Sequence, residues 1–268
     1  MAILRGDELS GLIGPIVIRR RKDGSAIVQS KARHYKKSKK SEKSTRLFGL
    51  GSTLACEIRI QLSEAINFYD PGMINRFNTQ VKEVLKHCYS EQTNSLIFES
   101  DSFSRLKDFE FNIKSPLVNY LWLKPVMVLE SNSLKIIVPE LKLTPDFIFP
   151  AGSNTCMVTV SVTQINIAQA RTSHELVSSF EINADQALYP EKEIVFEVAN
   201  QCLCVAAIGL SYYNRKEDIR TPCNSKAFSP ANIIGAILTP GVHIESTPAT
   251  VDSPALGEQW NDSHKLKL

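Results

Sequence analysis

The chain has 268 residues, of which 43% are hydrophobic and 22% are charged. This composition excludes a collagen-like, a disulfide-dense and a wholly disordered protein, and it provides enough apolar material for a large core. No apolar run approaches the roughly 20 residues that a membrane-spanning helix needs, so we expect no membrane span.

The formal net charge of +3 conceals an uneven distribution of charge along the chain. Residues 1–46 carry thirteen basic and four acidic side chains, a net charge of +9, and the remainder has a net charge of −6. This division predicts an anionic partner, or electrostatic contact between the two parts in an assembly. The first residues lack the order of a secretory signal, because acids come early and the short apolar run is followed by arginine. We therefore expect a cytoplasmic protein, while noting that leaderless export leaves no such trace.

Residues 11–31 are typical of a β-hairpin. IVIRR and SAIVQS are strand-like runs, and Asp23-Gly24 between them is a turn dipeptide. An isolated hairpin is marginally stable in water, so we expect this one to pack on the rest of the chain or on another copy. Residues 32–44 are basic and low in complexity, which predicts a solvated linker or a segment that orders against a partner.

A helical period begins near Thr45. One apolar face is formed by Leu47, Leu50, Leu54, Ile58, Leu62 and Ile66. Gly49 and Gly51 weaken this helix by about 1 kcal/mol each, or allow another backbone to approach closely. A second helix begins near Asp70-Pro71, and its predicted apolar face is Ile74, Phe77, Val81, Val84, Leu85 and Cys88. The two helices are expected to form an antiparallel pair.

The chain is β-rich from Phe109. Seven or eight short strands without intervening helices predict an immunoglobulin-like antiparallel β-sandwich. Its core face includes Cys156, Val158, Val160 and Val162, with Thr159, Ser161 and Thr163 opposite. The predicted class is α+β, with an N-terminal β-hairpin and a helical hairpin before the sandwich. The expected segments are 1–44 (basic hairpin and linker), 45–108 (helical region), 109–240 (sandwich) and 241–268 (tail).

Three segments carry a resemblance to a known family: GPIVIRRRKDGSAIVQSK after Gly11, RLFGLGSTLACEIR at 46–59 and FYDPGMINRF at 68–77. The chain resembles uncharacterised proteins of Bacteroidota bacteria that form a domain family of unknown function. The resemblance implies an N-terminal hairpin punctuated by glycines, a basic Ser-Lys segment, a Phe-Gly helix start and a β-rich C-terminal half. It also implies a bacterial source, and it brings no catalytic or ligand-binding residues.

Sequence motifs give little support to an enzyme. The chain contains no G-x-S-x-G, H-E-x-x-H or G-x-x-x-x-G-K-[ST] motif. Its six cysteines include no C-x-x-C pair, and its five histidines show no zinc-like spacing. We expect core thiols, no metal, no cofactor and no small-molecule substrate. Tyr120 and Trp122 would suit either a carbohydrate-binding face or core packing.

The basic residues of the N-terminal segment are the predicted partner-binding site. They are Arg19, Arg20, Arg21, Lys22, Lys36, Lys37, Lys39, Lys40 and Lys43. Such a set binds nucleic-acid phosphates in a salt-dependent way, contacts the acidic part of a neighbouring subunit, or keeps a linker solvated. We predict a non-enzymatic structural or interaction protein that assembles through its N-terminal hairpin, with copies of itself or with other protein subunits. The alternative is a non-specific nucleic-acid-binding protein that uses the basic arm.

Overall fold

A computed structural model of the chain describes residues 2–5, 8–21, 23–31, 38–241 and 261–262. The chain divides into two units, residues 1–44 and 45–268. The first unit contains β1 (Ala2–Arg5), β2 (Glu8–Ile13), β3 (Ile16–Arg20) and β4 (Ala26–Ser30). These strands form one antiparallel sheet in the order β1-β2-β3-β4. We call it the N-terminal sheet.

Two helices come next, α1 (Lys39–Gln61), which begins in the first unit, and α2 (Met73–Cys88). The following strands are β5 (Tyr89–Ser90), β6 (Ser95–Leu96), β7 (Val126–Glu130), β8 (Ser133–Val138), β9 (Leu141–Lys142), β10 (Thr155–Asn166), β11 (Arg171–Thr172), β12 (Leu176–Asn183), β13 (Leu188–Tyr189), β14 (Lys192–Glu197), β15 (Leu203–Lys216), β16 (Ile219–Pro222), β17 (Ala231–Leu238) and β18 (Asn261–Asp262). Two 3₁₀ turns lie at Ser104–Leu106 and Leu117–Asn119.

The second unit is built on a seven-stranded sheet. Its strands follow the order β16-β15-β10-β11-β18, with β12 also paired to β10 and β17 also paired to β15. A three-stranded sheet has the order β14-β8-β7, and β13-β9 and β5-β6 form short pairs. All the pairings are antiparallel, which hairpin and meander connections allow without crossover helices.

Both faces of the seven-stranded sheet are buried. Cys156 and Val158 point into a core shared with β8, β12 and β14, as the sequence predicts. Ile165 and Val205 point the other way, into a core shared with α1, α2 and the chain near Phe109. Thr159, Ser161 and Thr163, on this second side, are buried as well. An α+β fold with antiparallel sheets is therefore confirmed, but an immunoglobulin-like sandwich is not, because a helical layer covers one face of the main sheet.

The helices differ from their predicted bounds at two points. Helix α1 begins at Lys39 and not near Thr45, so part of the predicted linker is its first turn. Helix α2 begins at Met73, and Met73, Phe77 and Val81 form a buried row at steps of four residues. The prediction that Ile74 belongs to the apolar face is wrong, because Ile74 lies one position off this row and is 37% exposed.

An ion pair fixes the start of α2. The Asp70 carboxylate accepts hydrogen bonds from the Gly72 N–H (2.8 Å), the Ile113 N–H (3.3 Å) and the Arg76 guanidinium (2.5 Å). Asp70 itself is only 4% exposed. Its burial acts to raise the pKa of this carboxyl, but the N–H groups of Ile113 and Gly72 together with Arg76 outweigh that effect and lower the pKa. Asp70 thus connects the start of α2 to the segment that follows Phe111.

We predict that Asp70→Asn destabilises the protein by about 2 kcal/mol at neutral pH, because charge-assisted hydrogen bonds are lost from a buried site. A carboxyl whose pKa is lowered by folding stabilises the folded state above its unfolded pKa, and this contribution is lost as the pH falls through the folded pKa. Chemical denaturation at several pH values tests this. The free energy of unfolding should fall less steeply below about pH 4 in the variant than in the wild type. If the free energy of unfolding fell equally steeply at low pH in the variant and the wild type, the stabilising role assigned to the Asp70 carboxylate would be contradicted.

At two glycines the helical layer and its neighbours come into close backbone contact. A β-carbon at Gly209 on β15 would overlap the Ala65 carbonyl oxygen and lie 2.8 Å from the Ala65 carbonyl carbon. A β-carbon at Gly51 would lie 3.1 Å from the Lys82 Cα, so the predicted close approach at this glycine is found at the α1–α2 contact. The chain after α1 therefore lies directly on β15 because residue 209 has no side chain.

We predict that Gly209→Ala lowers the free energy of unfolding by about 3 kcal/mol, because the added methyl group meets a backbone carbonyl that cannot move alone. Gly235→Ala is the matched control on β17. Its β-carbon would lie 2.7 Å from the Met127 ε-methyl, the end of a flexible side chain that can rotate away. The control should cost less than about 1 kcal/mol in denaturant titration. Equal losses in the two variants would contradict the close backbone contact.

Candidate assembly surface

The turn between β3 and β4 has the geometry that its sequence predicts. The Asp23 carboxylate accepts hydrogen bonds from the Ser25 N–H (2.9 Å) and the Ser25 hydroxyl (2.7 Å). Both bonds lower the pKa of Asp23, the hydroxyl more than the N–H. Gly24 has a φ of +84°, a conformation that a residue without a β-carbon adopts readily. The Arg21 N–H closes the loop by donating to the Ser25 carbonyl oxygen at 2.9 Å.

The N-terminal sheet has two strands that the sequence analysis missed. Strand β1 pairs with β2 through Ala2–Arg5, and β2 pairs with β3 through Gly11–Ile13. The signal that could have revealed them is the Gly-Asp dipeptide at positions 6 and 7, which stands between two strand-like runs. The hairpin predicted for residues 11–31 is thus one half of a four-stranded meander.

One face of the N-terminal sheet is mostly apolar. The register places Leu4 opposite Leu9, Ile13 opposite Ile16, and Ile18 opposite Val28. Alternation along each strand brings these pairs to the same side of the sheet. We call this side the apolar face and define it by Leu4, Leu9, Ile13, Ile16, Ile18 and Val28. The same register also places Arg20, Ala26 and Ser30 on this side. The opposite side mixes Ile3, Leu12, Val17 and Ile27 with polar residues such as Ser10, Arg19 and Gln29.

The described side chains of the N-terminal sheet form no buried core. Every side chain whose burial the structure describes in it is exposed or half-buried. Leu4 is 66% exposed, Val28 is 63% exposed and Ile16 is 41% exposed. Cross-strand contacts therefore cover these apolar side chains only in part. A contiguous exposed apolar patch of this kind is typical of interaction surfaces, so this face is a candidate contact site.

Among the predicted basic residues that the structure describes, the three arginines are divided between two faces of the sheet. Arg19, Arg20 and Arg21 are exposed, and the alternation of β3 places Arg19 and Arg20 on opposite faces of the sheet. The Arg20 guanidinium donates to the Gly24 carbonyl oxygen at 3.3 Å. Lys39, Lys40 and Lys43 belong to the first turns of α1, where Lys43 is half-buried. Lys22, Lys36 and Lys37 lie outside the described residues, as do the side chains of Lys39 and Lys40.

The rest of the described chain shows few other reactive groupings. Within residues 38–241 and the other described segments, no group of three or more His, Cys, Asp or Glu side chains is placed to hold a metal ion. Neither of the described helices contains a stretch long and apolar enough to cross a membrane. Tyr120 packs on Tyr212 and Phe228 in the core, whereas Trp122 is 66% exposed. The two aromatic residues therefore do not form a shared binding platform.

Comparison with known proteins finds no match to a family model, to a curated protein or to a solved structure.

We predict that replacing Arg19, Arg20 and Arg21 together by Ser leaves the stability of the chain nearly unchanged. All three side chains are exposed, and surface substitutions of this kind usually change stability by less than about 0.5 kcal/mol each. Thermal unfolding of dilute samples measures this. A large fall in melting temperature under those conditions would show that the arginines are packed and not offered to a partner.

Proposed function

We propose that the protein is a non-enzymatic structural protein that assembles with copies of itself through its N-terminal sheet. The observation that carries this proposal is the absence of any buried side chain among the described positions of a four-stranded sheet. A sheet gains stability when it packs an apolar face against another layer. The apolar face of this sheet has the material for such a layer, and a second copy would supply one.

The charge distribution supports a second copy as the partner. The N-terminal 46 residues have a net charge of +9 and the rest of the chain has −6, so opposite ends of two copies attract each other. A contact between different surfaces of two identical chains is heterologous, and its repetition builds a ring or an open filament. Salt screens such attraction over distances beyond roughly 10 Å, which gives the assembly a predictable salt dependence.

Nucleic acid is the second candidate partner, and one observation favours it. Arg19, Arg20 and Arg21 are exposed in the structure, as a phosphate-binding segment requires. Their division between two faces of the sheet weakens this alternative, because a phosphate backbone would meet only part of the set at a time. The apolar side chains of the apolar face also have no role in phosphate binding. We therefore place self-assembly first.

The test is light scattering in line with size-exclusion chromatography on the full chain, with absorbance recorded at 260 and 280 nm. At low salt we expect an assembly free of nucleic acid, and at high salt a smaller mass or a weaker association. A monomer that carries nucleic acid at low salt and releases it at high salt would replace this proposal by the alternative. A monomer without nucleic acid under both conditions would remove both.

A matched pair of variants tests whether the contact between copies lies on the apolar face. Ile16→Asp places a charge on that face, and we expect it to abolish assembly because an unpaired carboxylate would have to be buried. Gln29→Asp introduces the same charge on the opposite side of the sheet, at an exposed position, and should keep most of the assembly. Light scattering of both variants provides the comparison. Equal loss of assembly in the two variants would show that net charge and not the apolar face controls association.

A further inference from the structure

One long edge of the seven-stranded sheet is covered within the chain. On the outer side of β17, the Asp108 N–H donates to the Ile233 carbonyl oxygen (2.9 Å), and the Ile233 N–H donates to the Phe109 carbonyl oxygen (3.1 Å). Further along the strand, the Phe111 N–H donates to the Ala231 carbonyl oxygen (3.0 Å). The segment before β7 thus satisfies the main-chain groups of this edge, which cannot accept another strand.

The opposite edge, β12, pairs with β10 alone among the described strands. The Ala184 N–H donates to the Asn154 carbonyl oxygen at 2.8 Å, so even-numbered residues direct their main-chain groups toward β10. The N–H and C=O of Asn183 are instead bonded to Gln186, on the outer side. By the same alternation, Val177, Ser179 and Glu181 direct their main-chain N–H and C=O groups outward.

The sequence of β12 lacks the devices that usually protect an edge strand. It reads LVSSFEIN, eight residues without proline or lysine. Its one charged side chain, Glu181, is already bonded to Arg215 at 3.0 Å and to Arg220 at 2.8 Å. Val177 is 42% exposed. An open edge of this length and composition is a template for strand addition.

The N-terminal sheet presents a complementary edge. Among the described strands, β4 pairs with β3 alone, and the bonds of Arg21 to Ser25 (2.9 Å) and of Lys31 to Pro15 (2.5 Å) fix the alternation between them. Residues 26, 28 and 30 therefore direct their main-chain groups away from β3. Val28, at the middle of this edge, is 63% exposed.

The charges near the two edges are opposite in sign. Residues 174–198, which contain β12 and β14, include six acidic side chains and one lysine, a net charge of −5. Asp185, Glu191 and Glu197 are exposed. Along the sequence, strand β4 lies between Arg19–Arg21 and the lysine-rich residues that precede α1. Alignment of the two edges would bring the basic segment of one chain to the acidic segment of another.

From these observations we infer that β12 of one copy accepts β4 of a second copy as an added strand, held by main-chain hydrogen bonds. This inference rests on the proposed self-assembly, and it adds to the packing of the apolar face a main-chain contact between the same two copies. The two edges belong to different surfaces of the chain, so each copy has one donor edge and one acceptor edge. Repetition of the contact gives a head-to-tail array.

The test uses full-length variants that block each edge separately. Ser179→Pro removes one outward N–H of β12 and leaves the hydrogen bonds to β10 in place, because proline is tolerated where the N–H faces away from the sheet. Ser179→Ala is its control, since it loses the same hydroxyl contact to Thr159 but keeps the N–H. Val28→Pro blocks β4 in the same way, and Val28→Thr is its control.

We expect each proline variant to raise the concentration needed for half-assembly by about tenfold or more, and each control to behave like the wild type. The decisive sample is an equal mixture of the two proline variants. One retains a donor edge and the other an acceptor edge, so the mixture should yield a dimer with twice the mass of one chain and no longer species. A mixture that stays monomeric would overturn the inference, as would a Ser179→Pro variant that assembles like the wild type.

Controls separate this inference from the proposed function. A wild-type chain that is monomeric at all salt concentrations defeats the proposed function itself. A wild type that assembles, with Val28→Pro impaired and Ser179→Pro unimpaired, defeats only the choice of β12 as acceptor. Far-ultraviolet circular dichroism and thermal unfolding show whether each variant is folded. Should Ser179→Pro not fold, Val177→Pro blocks the neighbouring outward N–H, and the same outcomes apply to it.

Discussion

A β-sheet must cover its apolar surface, and this requirement organises the whole chain. The seven-stranded sheet meets it on both sides: Val158 and Val160 pack toward the three-stranded sheet, and Val205 and Ile165 pack toward the helices. The N-terminal sheet does not meet it among its described residues, where apolar side chains such as Leu4 and Val28 stay largely exposed. The main sheet is thus covered on both faces within the chain, whereas the described residues of the N-terminal sheet leave apolar area for the proposed contact with another copy.

The chain after α1 reaches the main sheet because residue 209 on β15 has no side chain. Gly209 lets the Ala65 carbonyl lie on β15, and the Asn67 amide donates to the Ser211 hydroxyl at 2.5 Å two residues further along that strand. Asp70 and Arg76 then fix the entry into α2. The layer therefore combines ordinary apolar packing with a small number of backbone contacts that permit no larger residue.

The sequence predicts local patterns better than it predicts which layers meet. The position of Cys156 and Val158 on one face of β10 and the turn at Asp23-Gly24 depend on neighbouring residues. Both are found as predicted. The helical cover over Thr159 and Ser161 was not predicted, because short hydroxyl side chains look solvent-facing in a strand and are buried here by contacts distant in sequence. Thus Ser161 is satisfied by the Glu175 carboxylate at 2.5 Å, a partner that no local pattern reveals.

The role of Arg19, Arg20 and Arg21 in binding a partner stays a prediction, although the structure shows these side chains to be exposed. Charge density along the chain did not reveal the apolar face, which depends on the register of four strands. It also could not reveal that β12 pairs with β10 alone among the described strands, since edge or interior position follows from the whole topology. The proposed assembly surface thus combines a feature of composition with features of tertiary structure.

In the proposed assembly, another copy of the chain covers the N-terminal sheet. Amide hydrogen exchange of the full-length protein, measured by mass spectrometry across a range of concentrations, tests this most directly. Exchange in the segment Ile16–Ser30 should be fast in dilute samples and should slow markedly as the chains associate, while exchange in the buried strand β10 stays slow throughout. Equal exchange in Ile16–Ser30 at all concentrations, in samples whose mass shows association, would contradict the claim.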